Sequence, residues 1–257
     1  MTFADWVSET TVRFREQPPQ TALLVSIGDF LSGARAHLEW ILARHLDPDT
    51  AIATTFGDTR ARFVVDSRQE AKRAKHAIRE RPVLEWFIEP IDEEWVVWDI
   101  GAYHGTYSIV CRLIGADVVA FEPNADNRAR IRENAAINDV SVRTMDVALS
   151  NQSGSVSFGG DDLHPRKGIV ENGEMTVTAM RGDEIDGQPD TIKIDVEGHE
   201  LAVLEGMDET LATVRRALVE VHEGVDPGAV IEILERHGLT CDLAHVDRPQ
   251  SYVLAHD

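Results

Sequence analysis

The chain has 257 residues, 43% hydrophobic and 27% charged, the balance of a globular protein and not of a disordered one. Its 45 acidic and 25 basic residues leave a net charge of −20, and lysine is confined to Lys72, Lys75, Lys167 and Lys193. So acidic a surface repels phosphate backbones, so no nucleic-acid partner is expected, and it suits solubility in concentrated salt, so a halophilic source is expected. Cys111 and Cys241 stand in apolar surroundings and read as buried thiols, not a bridge. No charged start followed by an apolar core marks a signal peptide. The most apolar early region, Thr21 to Leu46, is interrupted by Asp29, Arg35, His37 and Glu39. Stable membrane insertion is therefore not expected, and the location expected is cytoplasmic.

Residues 1–90 read as a helical and hairpin lead-in, and 91–257 as the main domain. Phe3 to Arg15 suggests a short helix ended by Pro18-Pro19. Thr21 to Leu46 carries Leu24, Ile27, Leu31, Leu38, Ile41 and Leu42 at roughly helical spacing. Such a face would lie across the main domain or against a second copy, giving a homodimer through these helices; a membrane-surface role is the alternative. Ala51 to Phe56 and Ala61 to Val65 flank Gly57-Asp58, a hairpin pattern. Glu70 to Phe87 follows as a helix in which Pro82 marks a kink or a new start. Its basic residues Lys72, Arg73, Lys75, Arg79 and Arg81 form either a solvated face or an entrance for an anionic substrate.

From Trp95 the pattern alternates strand and helix. Trp95 to Ile100 has no helical spacing and is rich in β-branched and aromatic residues, a strand buried on both faces. Gly101 and Gly105 make a tight turn, and Thr106 to Leu113 is a short helix whose free N–H groups face back over it. Asp117 to Phe121 is a second buried strand with Glu122 at its end, where an acid can take both hydroxyls of a ribose. Asp126 to Asn138 reads as a helix and Ser141 to Met145 as a third strand. Ser153 to Phe158 and Glu174 to Met180 have strand character, and polar Gly159 to Gly173 reads as a mobile loop. Thr191 to Asp195, Ala217 to Val221, Cys241 to Val246 and Tyr252 to Ala255 complete the strands, with helices from His199 and over Pro227 to His237. Alternation of this kind predicts an α/β, doubly wound, mostly parallel sheet.

Asp99-Ile100-Gly101-Ala102-Tyr103-His104-Gly105 departs from the dinucleotide fingerprint, because an aspartate stands where the first glycine would be. A carboxylate there repels a pyrophosphate but suits the ammonium of an amino-acid moiety, directly or through water. With Phe121-Glu122-Pro123, this turn resembles motifs I and II of S-adenosylmethionine-dependent methyltransferases. A second run, Lys193-Ile194-Asp195-Val196-Glu197-Gly198-His199-Glu200, places three acids around a strand end. Together with Ala148-Leu149-Ser150 and Val219-Glu220-Val221-His222, these segments resemble, in the same order, the FkbM family of methyltransferases. Only Tyr103-His104 depart from the usual asparagine after Gly-Ala.

The resemblance implies a class I, Rossmann-like fold with a seven-stranded sheet, S-adenosyl-L-methionine as donor, and a hydroxyl of a small-molecule or glycan-like acceptor. In that frame Asp99, Gly101, Ala102, Tyr103 and Gly105 bind the amino-acid end of the cofactor. Glu122, with Pro123 and Asn124, takes the ribose, and Asp146 with Val147 and Ala148 the adenine. Asp195 and Glu197 face the methyl group and acceptor. His222 suits a general base near neutrality, with Asp195 as the competing choice. Asp195, Glu197 and His222 are also metal-ligand types, but without tight ligand spacing no metal is expected. The alternatives are a nicotinamide-dependent oxidoreductase and a non-catalytic binding module on the same fold.

Overall fold

The computed structural model describes residues 51–65, 80–159, 168–169, 173, 175–245 and 250–257. The expected helices of the first 46 residues, and all of the basic segment 70–79, lie outside these residues. The hairpin is present as β1 (Ala51–Phe56) and β2 (Thr59–Val64), antiparallel, with Phe56 opposite Thr59. Helix α1 (Arg81–Ile88) has its proline in the first turn, so Pro82 starts a segment and does not kink one.

Seven strands make the main sheet: β3 (Val96–Ile100), β4 (Asp117–Phe121), β5 (Arg143–Met145), β10 (Thr191–Ile194), β11 (Arg216–Val221), β12 (Thr240–His245) and β13 (Ser251–His256). Their order is β12-β13-β11-β10-β3-β4-β5, and only the β13 pairings are antiparallel. Chain order therefore reverses beside β3, the switch point outside which ligands bind in open α/β sheets. Because successive side chains alternate, Trp98, Ile100, Phe121, Ile192 and Ile194 pack on one face, against α4 (Glu200–Glu205), α5 (Asp208–Leu211) and α6 (Pro227–Arg236). Val97, Val118, Leu218 and Leu254 pack on the other, with α1, α2 (Thr106–Ile114) and the hairpin residues Phe56 and Phe63. This is the doubly wound arrangement that the sequence predicts.

The strands around residues 147–180 stand apart from the main sheet: β6 (Val147–Leu149), β9 (Met175–Met180), β7 (Gly154–Gly159) and β8 (Gly168–Ile169) form a four-stranded sheet of their own. One segment differs from expectation. Residues 168–169, expected within a loop, pair with Phe158 and Gly159, which supply the backbone partners that a polar sequence does not reveal. Both cysteines are free, and Cys111 is buried. No helix among the described residues is long and apolar enough to cross a membrane.

Helix α3 (Ala125–Ile137) ties the hairpin to the main domain. Asn134, 1% exposed, accepts from Val64 N at 2.8 Å and donates to His104 O at 2.8 Å. Asn134→Leu fills similar volume but orphans both groups. It should cost about 2 kcal/mol in chemical denaturation. An unchanged midpoint would show that neither bond contributes.

Candidate active site

Every predicted site segment stands at the C-terminal edge of a parallel strand. The turn after β3 is the tightest. Gly101 has φ +75°, and a Cβ built there would lie 1.9 Å from the Asp195 carbonyl oxygen. Gly101 N and Ala102 N donate to Phe121 O at 3.0 and 3.1 Å, and Gly105 N donates to Ala102 O. Tyr103 holds φ +53° without being a glycine, and its ring stacks on His104 at 3.7 Å. Such backbone strain persists where surroundings enforce it, often at binding sites.

Glu122 is 4% exposed, and both its oxygens are held: Oε2 accepts from Tyr103 N at 2.9 Å and Oε1 from Asn124 N at 2.8 Å. Burial pushes its carboxyl up to about 7, against the pull of the Asn124 N–H and of Lys193 and Arg128. The side chain of Asn124 caps α3, accepting from Asp126 N and Asn127 N, while Arg128 clamps the carbonyls of Glu122 and Pro123. Asp146 is exposed, its side chain at 78%, and lies 4.0 Å from Arg128. Glu122 N donates to Met145 O, which brings the ends of β4 and β5 together. Val147 and Ala148 are buried: Val147 packs in the main core with Phe121 and Leu149, and Ala148 packs with Phe158 and Val177 in the core of the smaller sheet.

Asp99 is turned inwards, 1% exposed. Its Oδ2 accepts from Ser108 N at 3.1 Å and Ser108 Oγ at 2.6 Å, and its Oδ1 lies 3.6 Å from Lys193 Nζ. The anion at the start of α2 is thus the chain's own carboxylate. Lys193 is the hub behind the turn, 3.2 Å from Gly101 O and 3.3 Å from Asp195 Oδ2. Burial pulls its ammonium pKa down, but Asp195 and Asp99 outweigh that and hold it above the usual lysine range.

The third group gathers at the ends of β10 and β11. His222 is 8% exposed; its Nδ1 lies 2.7 Å from Glu200 Oε1, which also accepts from Gly198 N at 3.0 Å. Its Nε2 faces Glu197 Oε2 at 3.2 Å, Asp195 Oδ1 at 3.7 Å and Glu220 Oε1 at 3.7 Å. Burial alone would lower the imidazole pKa, but the Glu200 bond and the carboxylates of Asp195, Glu197 and Glu220 raise it. Burial and the Asp195 charge push the Glu220 carboxyl up. Glu197 holds φ +53°, a second strained non-glycine residue at this edge. Asp195 and Glu197 therefore both lie within 4 Å of His222, and the Asp195 backbone touches the glycine turn.

A Methyltransferase FkbM domain model matches residues 99–240, the span that contains all three groups. The chain belongs to the FkbM methyltransferase family. It is 35% identical over 201 residues, 76% of its length and 84% of the relative's, to the hexuronic acid methyltransferase AglP of Haloferax volcanii. Its fold is similar to that of a methyltransferase FkbM from Methylobacillus flagellatus, with a TM-score of 0.51 at 14% identity, covering 74% of this chain and 55% of that one. The enzyme is a class I, S-adenosylmethionine-dependent methyltransferase. The oxidoreductase and non-catalytic alternatives give way to that assignment.

Sequence reasoning passed over several residues that the structure brings into the site. Lys193 and Glu220 sit two positions before Asp195 and His222, and so on the same strand faces, a period-2 signal that could have been read. Ser150 and His199, 2.9 Å apart, join the end of β6 to the start of α4 across 49 positions, and no local signal announces that contact.

Proposed function

We propose that the enzyme methylates an oxygen of a sugar-acid unit in a glycan. Carrying this reading is the Glu122 carboxylate, fixed by two backbone N–H groups beside the Gly101 turn and one strand away from the acid-rich end of β10. Glu122 would accept the ribose hydroxyls of S-adenosylmethionine, and Asp146 would lie toward the adenine. Asp99 would act from behind, holding Ser108 and Lys193 so that the turn over the amino-acid end keeps its shape. The 35% identical relative is a hexuronic acid methyltransferase, which supports an acidic sugar as acceptor.

Methyl transfer is a one-step displacement. A lone pair on the acceptor oxygen forms the new C–O bond while the C–S bond breaks, leaving neutral S-adenosylhomocysteine. A hydroxyl acceptor must also lose its proton, and Asp195, Glu197 and His222 would supply the base at that place. A carboxylate acceptor arrives without a proton. The two products separate chemically, since mild alkali releases a methyl ester and leaves a methyl ether intact.

The test is incubation with methyl-labelled S-adenosylmethionine and paired oligosaccharides that carry either a uronic acid or the matching neutral hexose. Label should enter the uronic-acid member only, and alkali treatment then identifies the oxygen. Transfer confined to the neutral member would overturn the acceptor class. The net charge of −20 and the Haloferax relative support work in a concentrated-salt cytoplasm without nucleic acid as partner. The apolar spacing of Leu24, Ile27, Leu31 and Leu38 supports a homodimer through the N-terminal segment, which sedimentation in high salt would test.

A further inference from the structure

We propose that Asp195, Glu220 and His222 form a divalent-cation site, with Glu197 at its rim. The three residues each offer one ligand atom, and these atoms lie within 4.8 Å of one another. Bonds of about 2.1 Å around an octahedral ion separate adjacent donors by about 3.0 Å and opposite ones by about 4.2 Å. The observed spacings of 3.7 Å from His222 Nε2 to Asp195 Oδ1 and to Glu220 Oε1 fall between those limits. Small rotations of two carboxylates would close the set.

The imidazole supplies an independent pointer. His222 is more than nine-tenths buried, and its Nε2 makes no hydrogen bond although it is aimed at the three carboxylates. The other nitrogen is fixed by Glu200, itself fully buried, in the carboxylate–histidine arrangement that orients a metal-binding ring. With Nδ1–H donating to Glu200, Nε2 points into the cluster, where a cation can take the place of a proton on it. A cation there gives Nε2 a partner and offsets the negative charge of the carboxylates around it.

The donor set suggests both ion class and purpose. One imidazole nitrogen with carboxylate oxygens fits Mn²⁺ and similar first-row divalent ions better than Ca²⁺, which prefers oxygen alone. Two ligands, His222 and Glu220, are buried, while the Asp195 side chain is 28% exposed, so coordination positions remain open on one side. Asp195 divides its oxygens, Oδ2 toward Lys193 and Oδ1 toward His222. On the sugar-acid reading above, on which this purpose rests, an ion there lets an anionic acceptor approach a place lined with carboxylates. It would hold the acceptor oxygen beside the methyl group.

The test is Mn²⁺ titration of the full chain followed by electron paramagnetic resonance, in about 1 M KCl so that loose association with surface acids is screened. One tight site per chain is expected, and Mg²⁺ and Zn²⁺ competition then ranks the ions. His222→Ala should abolish that site, and Glu220→Gln should weaken it by roughly tenfold or more. Glu200→Gln, which meets His222 at Nδ1 and not at the proposed ligand atom, should weaken it about 10- to 100-fold. Glu232→Gln, on the exposed side of α6, should change nothing. Calorimetry with S-adenosylhomocysteine on the same samples separates the two readings. Cofactor binding without a tight Mn²⁺ site overturns the cation proposal alone, as does a tight site that survives His222→Ala with unchanged affinity. A tight site without cofactor binding overturns the methyl-donor reading and leaves the cation site standing.

Discussion

Gly101→Ala is expected to abolish binding of S-adenosylhomocysteine, a loss of at least about 100-fold or roughly 2.7 kcal/mol. The new Cβ would stand 1.9 Å from the Asp195 carbonyl oxygen and 2.9 Å from its carbon, so backbone meets backbone and no flexible side chain can yield. Positive φ alone costs an alanine about 1–2 kcal/mol, and the collision adds to that. The strand-end loops of β3 and β10 must then move apart, which carries Asp195 and Glu197 away from the turn. Gly224 separates the two costs, because it has φ +91° but nothing within 4 Å of its built Cβ. Gly224→Ala should show only the small conformational penalty in thermal melting and retain full cofactor affinity. Wild-type affinity in a folded Gly101→Ala protein would mean that the close approach of the Asp195 loop does not shape the cofactor site.

Glu122→Gln should remove cofactor binding while sparing the apo fold. A carboxylate accepts from both ribose hydroxyls and from the two backbone N–H groups at once, whereas an amide presents its own N–H₂ to one of them. Charge-assisted bonds of this kind contribute about 1.5–3 kcal/mol each. The pH dependence carries the same point with a definite sign. Burial raises the folded-state pKa from 4.5 to about 7, so the folded protein holds this proton more tightly than the unfolded chain does. Its contribution is therefore fully present below about pH 4.5 and is lost as pH rises through about 7. The full shift corresponds to roughly 3 kcal/mol, an upper bound given the offsetting hydrogen bonds. The wild-type stability curve should decline through that window and the variant's should be flatter, leaving Glu122→Gln at least as stable at pH 8. Cofactor hydroxyls favour the ionised form, so binding at pH 6 should release protons and binding at pH 8.5 should release none from this group. Calorimetry in buffers of different ionisation enthalpy reads that number. Equal proton release at both values would show that Glu122 does not face the ribose.

The buried strands were legible in the sequence because parallel strands covered on both faces must be apolar throughout. Val96–Ile100, Asp117–Phe121 and Thr191–Ile194 appear within a residue or two of their predicted spans. The glycine turn and the acids at strand ends were legible for a related reason. Backbone geometry at φ +75° and carboxylates beside a ribose are demands on residue type, and residue type is what a sequence displays. Pairing partners are not displayed locally. Strand character at Ser153–Phe158 and Glu174–Met180 was evident, but not that these strands leave the main sheet for one of their own. The same limit applies to the site. Sequence supplied Asp195, Glu197 and His222 as separate candidates at the ends of two strands. Tertiary structure brought Asp195 and Glu197 within about 4 Å of His222, added Glu220 and Glu200, and turned Asp99 away from the edge toward Lys193 and Ser108. Parallel strand order decides which chain ends meet, and side-chain direction decides which of their atoms touch; both are set by long-range packing.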